Sequence, residues 1–266
     1  MLRWRYGDQL AWRLALIGLA EHGADYDARG YEPASGARGY LGFRRFGMPF
    51  DTQPRERNTG TGRACRAVVA ARLLDPAAEL PVFRALQLAR FTTTTLFDTD
   101  EGIRAALARV PRIDADAIVA AIEDPATEAA YQADRALVRT AAGSPTEFQG
   151  KAANTDGAVR YTAPSLLFEH RDGAKLEAGG FQPAEAYDVV IANLDPTLER
   201  RPAGEDVAEI LAAFPHPLTT REVAAVMAPH LVAPDERAAE EALIDAAAQG
   251  ALRRETIGGG ALWHLA

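Results

Sequence analysis

From Gly62 to about Ala142 the apolar residues recur at helical spacing, and runs of strand character stand on both sides of this block. Helices repeat about every 3.6 residues and strands every two or so, so a double switch of period points to a chain of helices and strands with a helical block between its strands. Upstream, residues 10–19 (LAWRLALIGL) are short, apolar and ended by Glu21, His22 and Gly23, which predicts a buried strand. The stretch from about 23 to 60 is rich in Gly, Tyr and Arg, shows no period, and reads as loop with short turns. Inside the block, Asp114 precedes ADAIVAAI and Asp124 precedes Pro125, both signatures of a helix start.

After Gly143 the polar run SPTEFQGKAANTDG leads into YTAPSLLFE and AKLEAGG, two predicted strands joined by a hairpin turn at Arg171-Asp172-Gly173. A helix follows, with Pro183 near its start and Tyr187, Val190, Ile191 and Leu194 on one face, and Asp195-Pro196 stops it. Residues 197–205 read as a linker. Residues 206–266 read as a small separate unit. Val207, Ile210, Leu211 and Phe214 form one helical stripe, and Thr219 with Glu222 makes a capping box. A third helix runs from Asp235 to Gln249, and ALRRETI and ALWHL flank Gly258-Gly259-Gly260 as a hairpin. Three helices and then a hairpin is the order of a winged helix.

Composition narrows the function. At 48 % apolar and 25 % charged the chain has globular values, far from a disordered sequence. The net charge of −8 and pI near 5.2 argue against nucleic acid or an anionic membrane as partner. Lys151 and Lys175 are the only lysines among many arginines, and Ala and Gly abound, a pattern of GC-rich bacterial genes. Arg3 and Arg5 precede the apolar run Leu14–Ala20, loosely like a secretory leader, but Asp8 and Arg13 interrupt it. No run reaches the roughly 20 apolar residues of a membrane span. Cys65 is the only cysteine, which rules out a disulfide framework and a Cys-rich metal site and fits a reducing, cytoplasmic setting.

The strand YTAPSLLFE, the hairpin, the Gly179-Gly180-Phe181 turn and the amphipathic helix after it resemble the C-terminal half of a thioredoxin fold. With strand 10–19 and a helical insertion at about 62–142, residues 1–196 resemble a DsbA-like protein of the branch of dithiol–disulfide isomerases and kappa-class glutathione transferases. The resemblance implies an α/β fold with a thioredoxin-like sheet, a cis proline at Pro164 with Ala163 before it, and thiol–disulfide oxidoreductase or isomerase activity on a protein or small thiol. It also implies a strand and Cys-x-x-Cys ahead of residues matching Met1–Gly7, so no residue here inherits the nucleophile and the natural start is expected upstream. Without that strand, residues 12–18 are expected either to pair antiparallel with residues 164–169 or to leave a groove. As written the chain is expected to be redox-inactive; a non-catalytic binding module at Pro164 and a kappa-type transferase using a low-molecular-weight thiol are the alternatives.

Cys65 stands at helical spacing with Val68, Val69 and Leu73 and reads as core. In RNTGTGRAC, Gly60, Thr61 and Gly62 precede a helix start beside Arg57 and Arg63, where backbone N–H groups could hold an anion or a thiol cofactor's carboxylate. A turn and cap is the plainer reading, since a phosphate-loop lysine is absent. The resemblance places Thr61 and Arg63 near the cleft of Ala163 and Pro164. The five histidines show no metal spacing, so no metal is expected, and since the resemblance leaves no residue here in the nucleophile's position, no catalytic residue is expected.

Overall fold

The computed structural model describes residues 1–155 and 157–266 and is a mixed α/β protein with small antiparallel sheets. Its early helices are α1 (Leu2–Tyr6), α2 (Ala24–Asp27), α3 (Pro33–Phe43), α4 (Gly62–Leu74) and α5 (Glu79–Thr92). Next come α6 (Asp100–Leu107), α7 (Ala115–Ala120), α8 (Pro125–Val138) and α9 (Pro145–Phe148). Strands β1 (Ala152–Ala153), β2 (Arg160–Tyr161), β3 (Leu166–Glu169) and β4 (Lys175–Ala178) precede α10 (Ala184–Leu194) and α11 (Val207–Ala212). The chain ends with β5 (Leu218–Thr219), α12 (Thr220–Met227), α13 (Glu236–Ala248), β6 (Leu252–Ile257) and β7 (Gly260–Leu265).

The chain forms two compact units: residues 1–17, 132–203 and 228–233 make the first, and residues 18–131, 204–227 and 234–266 the second. In the first unit β1 pairs with β2 and β3 with β4, all antiparallel. The β3–β4 register sets Leu166 opposite Ala178 and Glu169 opposite Lys175, and Gly173, at φ 92°, supplies the left-handed residue of the predicted turn. Helix α10 packs on this hairpin and buries Tyr187 and Ile191 from the predicted stripe.

Residues 10–19 do not form a strand, and nothing pairs residues 12–18 with β3. The cause lies in where their backbone groups bond. Leu16 N–H donates to the fully buried Asp134 carboxylate at 3.2 Å, and Ile17 C=O accepts from Arg139 at 3.0 Å. Side chains on and just beyond α8 thus satisfy groups that a ladder would otherwise have to pair.

The first unit also buries an ionic cluster. Asp188 of α10 accepts from Tyr6 Oη at 2.7 Å and from Arg200 Nε at 3.0 Å, with Arg5 Nη1 at 3.8 Å. Arg5 Nη1 also lies 3.1 Å from His230 Nδ1. Beside this cluster Trp4 is buried, its Nε1 donating to Pro202 C=O at 2.8 Å.

In the second unit the helical block appears as expected, with Val68, Val69, Val82, Ile103 and Ile122 fully buried. Asp114 caps α7 through Ala117 N–H at 3.0 Å. The stretch expected as loop holds α3, whose start is fixed by Pro33 and by a reciprocal Glu32–Ser35 capping box. The core stripe expected of α4 stops short. Val68 and Val69 are buried, but Leu73 is exposed and Cys65, in the first turn, is only half-buried.

Residues 204–227 and 234–266 contribute a three-stranded sheet in the order β5-β7-β6 with α11, α12 and α13. Thr219 N–H donates to Glu222 at 2.9 Å and Glu222 N–H to Thr219 Oγ1 at 3.2 Å, so the predicted capping box is present. Gly258, at φ 50°, turns β6 into β7, and a Cβ there would run into Pro49 C=O.

Candidate functional site

Ala163 and Pro164 lie in the first unit. Both residues are exposed and the peptide between them is cis. Their loop is held from several sides. Thr162 Oγ1 donates to Lys151 C=O at 2.7 Å and Ser165 Oγ to Thr162 C=O at 2.5 Å. Gly180 N–H donates back to Ser165 Oγ at 2.9 Å, while Tyr187 Oη donates to Gly180 C=O at 2.8 Å. The loop is therefore tied to the turn after β4 and to α10.

Glu177 of β4 is a second anchor. Its carboxylate accepts from Thr146 N–H, from Thr146 Oγ1 and from Tyr161 Oη, each at 2.7 Å. Burial opposes its ionisation, but the Thr146 and Tyr161 hydrogen bonds outweigh burial and hold the carboxyl below its ordinary range. Burial and the bond to Glu177 push the Tyr161 phenol up.

Strand β3 has one free edge. His170 N–H donates to Ala174 C=O at 2.8 Å, so by antiparallel alternation Phe168 and Leu166 also bond toward β4. Leu167 and Glu169 then turn their N–H and C=O groups outward, where no described strand pairs with them. Leu167 is 47 % exposed, so the strand that bears this edge also carries an apolar residue open to solvent.

Thr61 and Arg63 lie in the second unit. The N–H groups of Thr61 and Gly62 donate to Ala20 C=O at 2.8 and 3.2 Å, so two of the donors an anion would use are bonded within the chain. Gly60 is needed there, since a Cβ would meet Glu21 C=O. Arg63 pairs with Asp100 and with Glu123 at 2.5 Å, and Arg57 with Asp98 at 2.6 Å. These guanidinium groups already have carboxylates.

The anchors Thr146, Tyr161, Ser165 and Glu177 have no signature in the sequence. They are 15 or more positions from most of their partners, and no local pattern announces them. Among the described residues no group of three or more His, Cys, Asp and Glu could hold a metal ion, and no helix is long and apolar enough to cross a membrane. No protein-family model matches the chain, and no curated protein matches it.

Proposed function

We propose that this chain is a DsbA-like thioredoxin-fold protein of the thiol–disulfide oxidoreductase and isomerase family, and that its 266 residues bind extended polypeptide beside Pro164 without disulfide turnover. The observation that carries this reading is the order of an exposed Ala163-Pro164 loop, the antiparallel β3–β4 hairpin and α10 packed upon it. The outward N–H and C=O groups of Leu167 and Glu169 suit an added strand, which gains main-chain hydrogen bonds. Cys65 is the only thiol of these residues, so they supply no second thiol to resolve a mixed disulfide formed at Cys65. A lone thiol fits a reducing, cytoplasmic setting.

The C-terminal residues are proposed to be a winged-helix-like unit that contacts protein. Support comes from the strand order β5-β7-β6 together with α11, α12 and α13. Its third helix carries Glu236, Glu240, Glu241 and Asp245 against Arg237, a charge that repels phosphate.

The test is amide hydrogen exchange of the whole chain with and without a thiol-free, extended peptide of alternating apolar residues. Protection of the Leu167 and Glu169 amides that grows with peptide is the expected result. Unchanged exchange at these two amides with millimolar peptide would count against binding at this edge.

A further inference from the structure

We propose that the half-buried Arg90 guanidinium and the Tyr26 hydroxyl form a binding site for a small oxyanion, a carboxylate or a phosphate group. Both residues lie in the second unit. Arg90 stands in the last turn of α5, and two more arginines, Arg55 and Arg57, lie nearby. The position of Arg55 is accounted for. Its Nε donates to Thr95 C=O at 3.3 Å, and its Nη2 donates to Thr93 C=O at 3.0 Å and to Arg90 C=O. These carbonyl groups lie at and just beyond the C-terminus of α5, where the helix dipole favours a cation. Arg57 is accounted for as well, since its two Nη groups hold the Asp98 carboxylate at 2.6 and 2.8 Å.

Arg90 is left over. Its Nη1 donates to Thr59 Oγ1 at 2.6 Å, and no carboxylate pairs with it among the described residues. A guanidinium stays charged and carries more N–H donors than one hydroxyl can satisfy, so a half-buried one held in this way lacks a counter-charge. Burial and the like charge of Arg55 pull its pKa down, as that lack requires. Asn58, beside Thr59, donates to Tyr31 C=O and to the Asp27 carboxylate, each at 2.7 Å, and so ties the segment of Tyr26 and Tyr31 to the residue that holds Arg90. The Tyr26 ring meets Tyr31 edge-on at 5.8 Å. Its hydroxyl bonds to no described residue, although the Arg90 charge acts on it. Burial pushes the phenol up despite Arg90 and Arg29, so at neutral pH it keeps its proton and can donate. Tyr40 is spent, its Oη donating to Arg90 C=O at 3.4 Å. A carboxylate or phosphate accepts from the Arg90 fork and from Tyr26 and supplies the missing charge. A neutral apolar molecule does neither.

The site shares no residue with the Pro164 loop, so the two proposals fail separately. Acetate, inorganic phosphate and chloride titrated into the whole chain at matched ionic strength, followed by the Arg90 Nε–H and Tyr26 ring resonances, test it. Saturable shifts are expected with at least one of the two oxyanions, and the tighter of them names the group the site takes. Chloride, which has no paired oxygens, is expected to bind about 10-fold more weakly than that oxyanion. Arg90→Gln and Tyr26→Phe are each expected to weaken its binding about 10-fold, the margin of a hydrogen bond to a charged group. Should Arg90→Gln not fold, Tyr26→Phe and the titrations of the unaltered chain decide. No saturable shift with either oxyanion, chloride binding as tightly, or either folded variant binding as before would each overturn the proposal.

Discussion

Asp188→Ala is expected to destabilise the first unit by about 3–5 kcal/mol, the cost of leaving a buried charge without its partner. Asp188 and Tyr6 are almost completely buried and Arg5 is 8 % exposed, so removing the carboxylate strands a guanidinium and a phenol away from water. Urea unfolding followed at the indole resonances of Trp4 and Trp12 reports on this unit. A loss under about 1 kcal/mol would be the value of a surface pair and would contradict the buried cluster.

The same cluster fixes two pH limits. Burial disfavours the ionised Asp188, but the hydrogen bonds from Tyr6 and Arg200 and the nearby charges of Arg200 and Arg5 prevail, and its pKa is lowered. The unfolded chain therefore takes up this proton first, so the contribution is complete above about pH 4 and is lost as pH falls through the folded value. Tyr6 moves the other way. Burial and the Asp188 bond push it from 10.0 up to about 12, so its contribution is complete below about pH 10 and is lost as pH rises toward 12. Tyr6→Phe is expected to flatten that alkaline arm.

Trp263→Ala is expected to cost the second unit about 3–5 kcal/mol. The side chain is fully buried on β7, the middle strand of the C-terminal sheet, and its Nε1 donates to Thr220 Oγ1 at 2.9 Å. Ile210, Leu218 and Leu243 are buried in the same part of the chain and cannot all close around a lost indole. Thr220→Val, which removes only the hydrogen bond, should cost about 1 kcal/mol. Equal losses from the two substitutions in urea unfolding, read at the Ile210 and Leu243 methyls, would show that the packing of the indole matters no more than its hydrogen bond.

Much of this architecture was legible because local chemistry decides it. Asp114, Thr219 with Glu222, and Gly173 each act on backbone groups within four residues, so their roles follow from spacing alone. The stripe of α10 is equally local, although Asp188 lies buried beside it for a reason found in Tyr6 and Arg200. Residues 10–19 mislead because an apolar run announces burial but not a ladder partner. There Asp134 and Arg139, more than a hundred positions away, take the backbone groups. Helix α3 was hidden by Gly36, Gly39 and Gly42, which lower helix propensity, while Pro33 and the Glu32–Ser35 box offset them. At the candidate site Pro164 could be picked out in YTAPSLLFE, but the Glu177 anchor depends on tertiary pairing.

The most direct test of the central claim is the reduction of insulin disulfides by the whole chain with excess reductant, compared with Cys65→Ser. The expected result is a rate no higher than the uncatalysed one for both chains; a mixed disulfide at Cys65 does not accumulate, because the excess reductant cleaves it. Repeated turnover, above all turnover that survives loss of the only thiol, would contradict it.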